Sequence, residues 1–416
     1  ARAEEAALNL IKSSSDDDWV RKGKDILDRI REQLSVRGYL VGCILPQSGP
    51  FSLYGKEVLN GIHLGLAMEA ETAGSGRRVQ DLEVVVEDSA GDPTAAEAGF
   101  IRLAREEKVV AVVGPLSSNA AEIVGEKSQK FGIPLIAITQ KEDITGTGDM
   151  VFRNFIYPTR EIKRLLDGAM GPLGMDRFAV LYPDNPYGRH FKRLFEDAVQ
   201  ARGGAITAAA SYEPGTTDFA GSIERLTGLD SPRPRGIEDE LLARWPAERE
   251  EMEAYTDRRP VVDFDAVFIP DTFEKIAMLA PQLIYHDVID VVLLGPSLWR
   301  SSRLLEQAAA HIQGAMFAAG FFEDSSRPEV ASFVENYRRL FGEEPGILAA
   351  TGYDTIRFLA GLLAGQDTPT RINLRLAISE SPPFPGVTGD ISFDETGEVE
   401  KEPFLITVHG RRFIEF

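Results

Sequence analysis

The stretch 39–55, "YLVGCILPQSGPFSLYG", joins an apolar run to a helical pattern through a short loop of small and polar residues. The apolar run breaks at Pro46, and the spacing of later apolar residues predicts a helix from about Tyr54. A buried strand, a loop and an amphipathic helix form the repeating unit of α/β folds. Loops of this kind cradle phosphates, place nucleophiles or hold small ligands, and the rest of the chain decides between these roles.

The same unit recurs along the chain in two successive series. The first series continues with "LEVVVED" (82–88), "VVAVVG" (109–114) and "IPLIAIT" (133–139). After "VFRNFI" (151–156), a second series has "FAVLYP" (178–183), "AITAAASY" (205–212), "DAVFIP" (265–270) and "VVLLGP" (291–296). Runs rich in Val and Ile that alternate with helices predict parallel sheets covered on both faces. The predicted fold class is therefore α/β, with two such units.

Composition excludes several classes of partner. The 416 residues are 43% hydrophobic and 26% charged, which is typical of a soluble globular protein of two or three domains. The net charge of −20 argues against nucleic acid and against a polybasic membrane anchor. Because no apolar run approaches the ~18 residues of a membrane span, we expect no such span in this chain.

The sequence also lacks the usual catalytic and metal-binding motifs. There is no phosphate-binding loop, no G-x-S-x-G elbow and no H-E-x-x-H motif, and the five histidines are scattered. The single cysteine, Cys43, lies in an apolar run and is interpreted as a buried, inert thiol. The acidic group Glu87, Asp88 and Asp92 is interpreted as a solvated strand end. We expect no enzyme activity, no metal and no cofactor.

Loops rich in hydroxyls, amides and aromatic rings follow several predicted strands. They are "GPLSSNAAE" (114–122), "ITQKEDIT" (138–145), "YPDNPYG" (182–188) and "IPDTFE" (269–274). Ligands of α/β proteins bind at the carboxyl ends of the strands, where helix N-termini offer free N–H groups. Ser, Asn and Asp at such places are commonly plain helix caps. Ligand-type loops on both units nevertheless favour a binding cleft between two lobes.

The chain resembles the type 1 periplasmic binding proteins, the branched-chain amino-acid binding family of ABC transporters, over about residues 38–416. The resemblance rests, in order, on "LPQSGPFSLYGKEVLNGIHLGL", "VVGPLSSNAAE", "IPLIAITQ", "AVLYPDNPYGRHF", "LLGPSLW" and "GVTGDISFDETGEV". It implies two Rossmann-like lobes that close on a ligand and are joined by crossings near 154–158, 318–323 and 385–388.

This resemblance implies a division of the chain into three parts. They are a helical extension at 1–36, a first lobe at 37–156 with 319–385, and a second lobe at 157–318 with 386–416. A charged insertion is expected at 229–260. The insertion, with "VFRNF" and "APQLIYHDVIDVVLLGPSLW", is similar to the penicillin-binding protein activators, in which a helical-repeat region precedes a binding-protein-like module. Residues 1–36 then correspond to the last helices of that region.

The resemblance also implies the residues that hold the ligand. In amino-acid binders of this family, first-lobe hydroxyls and N–H groups hold the ligand carboxylate, and the tyrosines of two Tyr-Gly motifs flank it. The matching residues here are Tyr54, Ser117, Ser118, Asn119, Thr139, Gln140, Lys141 and Tyr187.

The residue that meets the ligand ammonium is less clear from the resemblance. An acidic residue usually follows the "GP" of a late second-lobe strand, and Ser297 stands there in this chain. Without a charge-assisted hydrogen bond of ~1.5–3 kcal/mol, affinity falls by about 10–100-fold. Either Asp271 supplies the charge or the ligand is not a simple α-amino acid. Lys141, where small residues are usual, favours an anionic ligand slightly, although a lysine that points into solvent explains it as well.

The predicted function is an extracytoplasmic solute-binding receptor for a small polar ligand, an amino acid, amide or carboxylate, with an ABC permease as its partner. The alternative is an activator-like regulator of peptidoglycan synthesis, which contacts a cell-wall synthase and has little or no ligand function. Both imply a periplasmic or other extracytoplasmic location, with the chain free or held by a lipid anchor at an N-terminus beyond this sequence.

Overall fold

The computed structural model describes residues 2–14, 16–72, 82–229 and 260–416. The charged insertion expected at 229–260 lies outside the described residues except at its two ends. The chain divides into two compact units. Unit 1 comprises Ala1–Tyr157 and Arg327–Lys401, and unit 2 comprises Pro158–Ser326 and Glu402–Phe416.

The helices, in chain order, divide between the two units. Unit 1 begins with α1 (Arg2–Ser13), α2 (Asp17–Leu34), α3 (Ser52–Thr72), α4 (Pro93–Arg102) and α5 (Ser118–Phe131). Unit 2 has α6 (Pro158–Met170), α7 (Pro186–Ala201), α8 (Ala220–Leu226), α9 (Phe273–Tyr285) and α10 (Ser302–Ala308). Unit 1 then resumes with α11 (Pro328–Phe341), α12 (Ile347–Ala364) and α13 (Arg371–Ser379). Shorter helical turns lie at Leu103–Glu107, Ile144–Thr147, Ser297–Trp299 and Ala309–His311.

Unit 1 is built on a five-stranded parallel sheet. Its strands are β1 (Arg37–Leu45), β2 (Glu83–Asp88), β3 (Val109–Val113), β4 (Leu135–Ala137) and β5 (Val151–Arg153). Their order across the sheet is β2-β1-β3-β4-β5, and every pair is parallel. This is the order of a doubly wound fold, as the alternation of apolar runs and helices predicts.

Both faces of this sheet are covered, and β1 shows how. Val41, Cys43 and Leu45 point into one hydrophobic cluster, while Leu40 and Ile44 point into another on the opposite face. Alternate side chains of a strand point to opposite faces, so a run that is buried throughout requires helices on both sides. The buried position predicted for Cys43 is confirmed, and burial raises the pKa of its thiol to about 12.

Helix α12 is a core helix of unit 1. Among the described residues it is the one helix that is long and apolar enough, by length and composition, to cross a membrane. Its apolar window is 67% buried within the protein, and it packs along α3. A central helix of an α/β unit carries this composition because most of its surface is covered by the rest of the unit.

Unit 2 is built on a mixed seven-stranded sheet. Its strands are β6 (Arg177–Pro183), β7 (Ala205–Tyr212), β8 (Ala266–Phe268), β9 (Val292–Gly295), β10 (Met316–Ala319), β11 (Phe404–His409) and β12 (Arg412–Glu415). The order is β12-β11-β10-β9-β8-β6-β7. The strands from β6 to β10 pair in parallel, whereas β11 and β12 add an antiparallel edge. The two α/β units predicted from the sequence are thus confirmed.

Residues 386–401 group with unit 1, whereas the resemblance assigned them to the second lobe. Two buried polar groups tie this segment to unit 1. The Arg153 guanidinium pairs with the Glu398 carboxylate at 2.6 Å, and Asp354 accepts hydrogen bonds from the backbone N–H groups of Val387 and Thr388, both at 2.8 Å. These contacts join residues far apart in sequence, so composition and periodicity give no sign of them.

Candidate functional site

The ligand residues expected in unit 1 follow the ends of three neighbouring strands. Tyr54 comes after β1, Ser117 after β3 and Thr139 after β4, and these strands are adjacent in the parallel sheet. Because the carboxyl ends of parallel strands meet at one edge, the three loops share that edge. The tyrosine ring is 53% exposed.

The loop after β3 leads directly into α5. Ser117 is the N-cap residue, and its Oγ accepts a hydrogen bond from the Ala120 N–H at 3.4 Å. Ser118 and Asn119 form the start of the helix, and both are exposed. The hydroxyl of Ser117 therefore has a structural role, while the next two residues present polar side chains to solvent.

The loop after β4 is held by hydrogen bonds on both sides of its backbone. The buried Thr139 Oγ1 accepts from the Lys141 N–H at 3.3 Å, and the Arg153 guanidinium donates to the Lys141 carbonyl at 2.8 Å. Lys141 Nζ pairs with Glu122 at 3.2 Å, whereas Gln140 is exposed. Because the Lys141 charge already has an acidic partner, the sequence argument for an anionic ligand loses its main support.

The two Tyr-Gly motifs have the same local geometry. A Cβ at Gly55 would lie 1.9 Å from the Pro46 carbonyl oxygen, and one at Gly188 would lie 2.1 Å from the Pro183 carbonyl oxygen. In each case the start of a helix packs on the backbone at the end of a strand, and only glycine fits there. The preceding tyrosine is thereby fixed at the strand end, with Tyr187 37% exposed.

We expect Gly188→Ala to lower the free energy of unfolding by about 1–3 kcal/mol, because the added methyl group would collide with the Pro183 carbonyl oxygen and with the rigid Pro183 ring. Urea denaturation followed by circular dichroism measures this change. The matched control is Gly215→Ala, a loop position where a Cβ meets nothing within 4 Å. Equal midpoints for the two variants would contradict the close packing described for Gly188.

The ligand residues expected in unit 2 follow a second set of neighbouring strands. Tyr187 comes after β6, Asp271 after β8 and Ser297 after β9, and β6, β8 and β9 are adjacent and parallel. The three residues therefore share the carboxyl edge of this sheet, as the residues of unit 1 share theirs.

Glu161 is a fourth residue of this set, which the sequence argument missed. It lies in the first turn of α6, and its Oε2 accepts a hydrogen bond from the Ser297 N–H at 3.2 Å. Burial raises the pKa of this carboxyl to about 7, against the opposing effect of the Ser297 hydrogen bonds. The pKa of Tyr187 is raised by burial and then by the charges of Glu161 and Asp271.

Asp271 is held firmly in place. Its Oδ2 accepts from the Tyr212 hydroxyl at 2.8 Å and its Oδ1 from the Thr272 N–H at 2.7 Å. The N-cap of α9 is Thr272, so Asp271 lies one residue before the cap. Burial, and then the neighbouring Asp271 charge, raises the pKa of Tyr212, which keeps the phenol neutral and able to donate.

Ser297, the residue after the "GP" of β9, thus donates its backbone N–H to the carboxylate of Glu161 on α6. The resemblance expects a carboxylate at Ser297, and the structure places the Glu161 carboxylate at the Ser297 N–H. The two residues are 136 positions apart, so no local pattern could have joined them. An acid in a first helical turn also favours the helix dipole, which gives it a structural interpretation when read from sequence alone.

The acidic group at the end of β2 has structural partners. Glu87 pairs with Arg102, and the N-cap Asp92 accepts from the Ala95 N–H at 2.8 Å. Hydrogen bonds, first from Ser48, lower the pKa of Asp88 to about 2. Within the described ranges, no group of three or more His, Cys, Asp or Glu side chains is arranged to hold a metal ion.

Two doubly wound units with polar side chains at the carboxyl ends of their strands define a class of ligand-binding α/β proteins. A family model for periplasmic binding proteins matches residues 39–410, and the chain belongs to this family. The family is one of solute-binding proteins and not a class of enzymes.

Individual members of this family are similar to parts of the chain at low sequence identity. The Leu/Ile/Val-binding protein homolog 7 of Brucella abortus is 28% identical over 193 residues, which are 44% of this chain and 48% of the relative. The chain thus spans about half the length of the curated relatives it matches.

Two solved structures share the fold. One is a protein from Rhodospirillum rubrum assigned to branched-chain amino acid ABC transport, with a TM-score of 0.76 and 24% identity over 91% of this chain and 100% of the other. The other is an ABC-transporter solute-binding protein from Rhodopseudomonas palustris BisB5 in complex with 3,4-dihydroxybenzoic acid. Its TM-score is 0.61 and its identity 21%, over 91% of this chain and 96% of that one.

Proposed function

We propose that this chain is an extracytoplasmic solute-binding receptor for a small polar ligand and that it serves an ABC transporter. The observation that carries the proposal is the set of polar side chains at the carboxyl edge of the unit 2 sheet. Tyr187, Asp271 and Ser297 follow three adjacent strands, and Glu161 joins them from α6. A half-buried carboxylate beside an exposed tyrosine and a half-buried serine suits a ligand with hydrogen-bonding groups.

Unit 1 supports the proposal with side chains of a different character. Ser118, Asn119 and Gln140 are exposed at the carboxyl edge of its sheet, and Tyr54 lies at the same edge. Amides and hydroxyls both donate and accept hydrogen bonds, and these groups carry no net charge.

The activator alternative has no observation that favours it. The relatives described above carry names of solute-binding and ABC-transporter proteins. We therefore propose an ABC permease, and not a cell-wall synthase, as the partner. We also propose a periplasmic or other extracytoplasmic location.

The test is a ligand screen on the purified chain. Thermal unfolding with amino acids, their amides and small carboxylates at millimolar concentration should give an upward shift with at least one class, because a ligand that binds only the folded state stabilises it. If no compound in such a screen shifts the melting temperature, the proposal fails.

We expect Tyr187→Ala to weaken binding of the responding ligand roughly tenfold or more, since an aromatic side chain in a binding site contributes on the order of 1–2 kcal/mol or more. The Tyr187 ring packs on Phe191, with centroids 4.5 Å apart. Isothermal titration calorimetry measures the change.

The matched control is Tyr285→Ala, which removes an 83% exposed tyrosine from α9 of the same unit. It should leave affinity unchanged. Equal affinity of both variants would remove Tyr187 from the ligand site.

A further inference from the structure

We propose that the outer strand of unit 2, β12 (Arg412–Glu415), is a dimerisation surface, at which two copies of this chain join their sheets edge to edge. This part of the sheet is separate from the residues that the receptor function uses. The ligand residues follow β6, β8 and β9, whereas β10 and β11 lie between β9 and β12. Ligand binding and dimerisation can therefore be tested separately.

The backbone of β12 is paired on one side. Within the described ranges, β12 pairs with β11 alone, in antiparallel register. The Phe416 N–H donates to the Leu405 carbonyl at 2.8 Å, so the backbone groups of Ile414, two residues earlier, also face β11. The N–H and C=O groups of Phe413 and Glu415 point the other way, out of the sheet. Such a row of outward groups is a template for a further strand.

Apolar side chains extend to this edge on one face of the sheet. Met316 of β10 packs in the core beside α6, Thr407 of β11 lies next to it, and Ile414 lies next to Thr407. Neighbouring residues of paired strands share a face. Ile414 is 40% exposed, and Phe416 on the same face is 44% exposed. A strand added to β12 would remove both side chains from water.

The opposite face leaves room for the side chains of an added strand. A groove of about 590 Å³ borders β12 and is lined on its other side by the start of α10 and the loop after β10. The strand itself is held in place on this face. Phe413 packs edge-on against Phe317, with centroids 5.2 Å apart, and Glu415 accepts from the Ser325 hydroxyl at 3.0 Å. The edge is thus already formed in the single chain.

A second copy of β12 is the occupant that fits this edge. Two identical strands related by a two-fold axis perpendicular to the sheet pair in antiparallel register. With the axis at Ile414, the outward groups of Phe413 meet those of Glu415 in the second copy, and the reverse. Each of these pairs exchanges both N–H···O bonds, so every outward backbone group of β12 is satisfied.

The side chains are complementary in the same register. Ile414 lies against its own counterpart, in a pair without backbone hydrogen bonds, where side chains approach most closely. Arg412 faces Phe416 of the second copy, which permits a cation–π contact. Arg411 lies diagonally across from Glu415, within reach of a long side chain. Among the described residues neither arginine forms an ion pair, and two cations at this edge reduce the repulsion between chains of net charge −20.

Sedimentation equilibrium of the full chain tests the surface. The native chain should show a monomer–dimer equilibrium at micromolar concentration. Ile414→Lys should weaken dimerisation about tenfold or more, because it opposes two ammonium groups on the axis. The control is Ile372→Lys, the same exchange at a 49% exposed position of α13 in unit 1, which should dimerise as the native chain does. Circular dichroism shows whether both variants are folded.

Cross-linking tests the register. Ile414→Cys should give a disulfide-linked dimer on mild oxidation, since opposed residues of a non-hydrogen-bonded pair have Cα atoms about 4.5 Å apart, within the range of a disulfide. Phe413→Cys should not, because position 413 faces position 415 of the second copy. The native Cys43 is buried and does not compete.

Three outcomes would overturn the proposal. The native chain could remain monomeric while Ile414→Cys forms no linked dimer. Ile414→Lys and Ile372→Lys could dimerise equally well, which places the interface elsewhere, or Phe413→Cys could cross-link in preference to Ile414→Cys. An extended segment of another protein bound at β12 of a monomeric chain would likewise exclude a second copy as the occupant. None of these outcomes alters ligand binding, which the thermal screen measures on its own.

Discussion

Replacement of Asp354 by alanine should lower the free energy of unfolding by about 3–5 kcal/mol, the usual cost of breaking a buried ion pair. Asp354 is completely buried in α12. Its carboxylate accepts from the N–H groups of Val387 and Thr388 at 2.8 Å each and from the Thr388 hydroxyl at 2.5 Å. Lys401 Nζ lies 4.0 Å away and is 2% exposed, so the variant leaves a buried ammonium group without its carboxylate.

Urea denaturation of the ligand-free chain tests this prediction. The control is Asp390→Ala, which removes an exposed carboxylate from the same segment and should change stability by less than about 0.5 kcal/mol. The double variant Asp354→Ala with Lys401→Met should be more stable than Asp354→Ala alone, because it removes the stranded charge. A midpoint of Asp354→Ala within error of the native value would show that the pair contributes nothing.

Arg153→Met should be destabilising to a similar extent, about 3–5 kcal/mol. The arginine is 1% exposed, and it donates to Glu398 at 2.7 Å and to the Lys141 carbonyl at 2.8 Å. Its guanidinium also lies over the Tyr157 ring, 4.3 Å from the centroid. Methionine fills a similar volume but leaves the buried Glu398 carboxylate without its guanidinium, although the Thr145 hydroxyl still donates to it at 2.9 Å.

This second variant has a consequence for the ligand as well. The Lys141 carbonyl loses its donor, so the segment 139–141 is less firmly held, and affinity for the responding solute should fall along with stability. Arg375→Met is the control, since Arg375 pairs at 3.5 Å with a 60% exposed Asp149 and such pairs contribute about 0–1 kcal/mol. Similar losses in the two variants would refute a special role for Arg153.

Local patterns predicted the fold because the sheets are built from local units. The run 109–114 became β3 at Val109–Val113, buried throughout, and the run 133–139 became the shorter β4 at Leu135–Ala137. Apolar periodicity reports which residues face a core. It does not report partners across the sequence, such as Arg153 and Glu398, which are 245 positions apart and place residues 386–401 in unit 1.

For the candidate site, too, local patterns predicted the positions of residues but not their tertiary contacts. Loops after strands indicated Tyr187, Asp271 and Ser297, because strand order brings such loops to one edge. Glu161 gave no signal, since its importance comes from a contact with the backbone of a residue in another element. The charge of Lys141 was visible in the sequence, but its pairing with Glu122 was not. Which charges are free for a ligand depends on tertiary contacts that composition cannot give.

The matching glycines 55 and 188 bear on how the ligand preference of this chain can change. Each fixes the preceding tyrosine through the backbone, by contact of a helix start with a proline carbonyl, and not through packing of the tyrosine ring itself. The tyrosine positions are therefore free to accept other side chains without a change in the course of the chain. Under the proposed function, exchange at 54 and 187 can change the solute that is recognised, whereas a side chain at 55 or 188 would collide with a proline carbonyl oxygen.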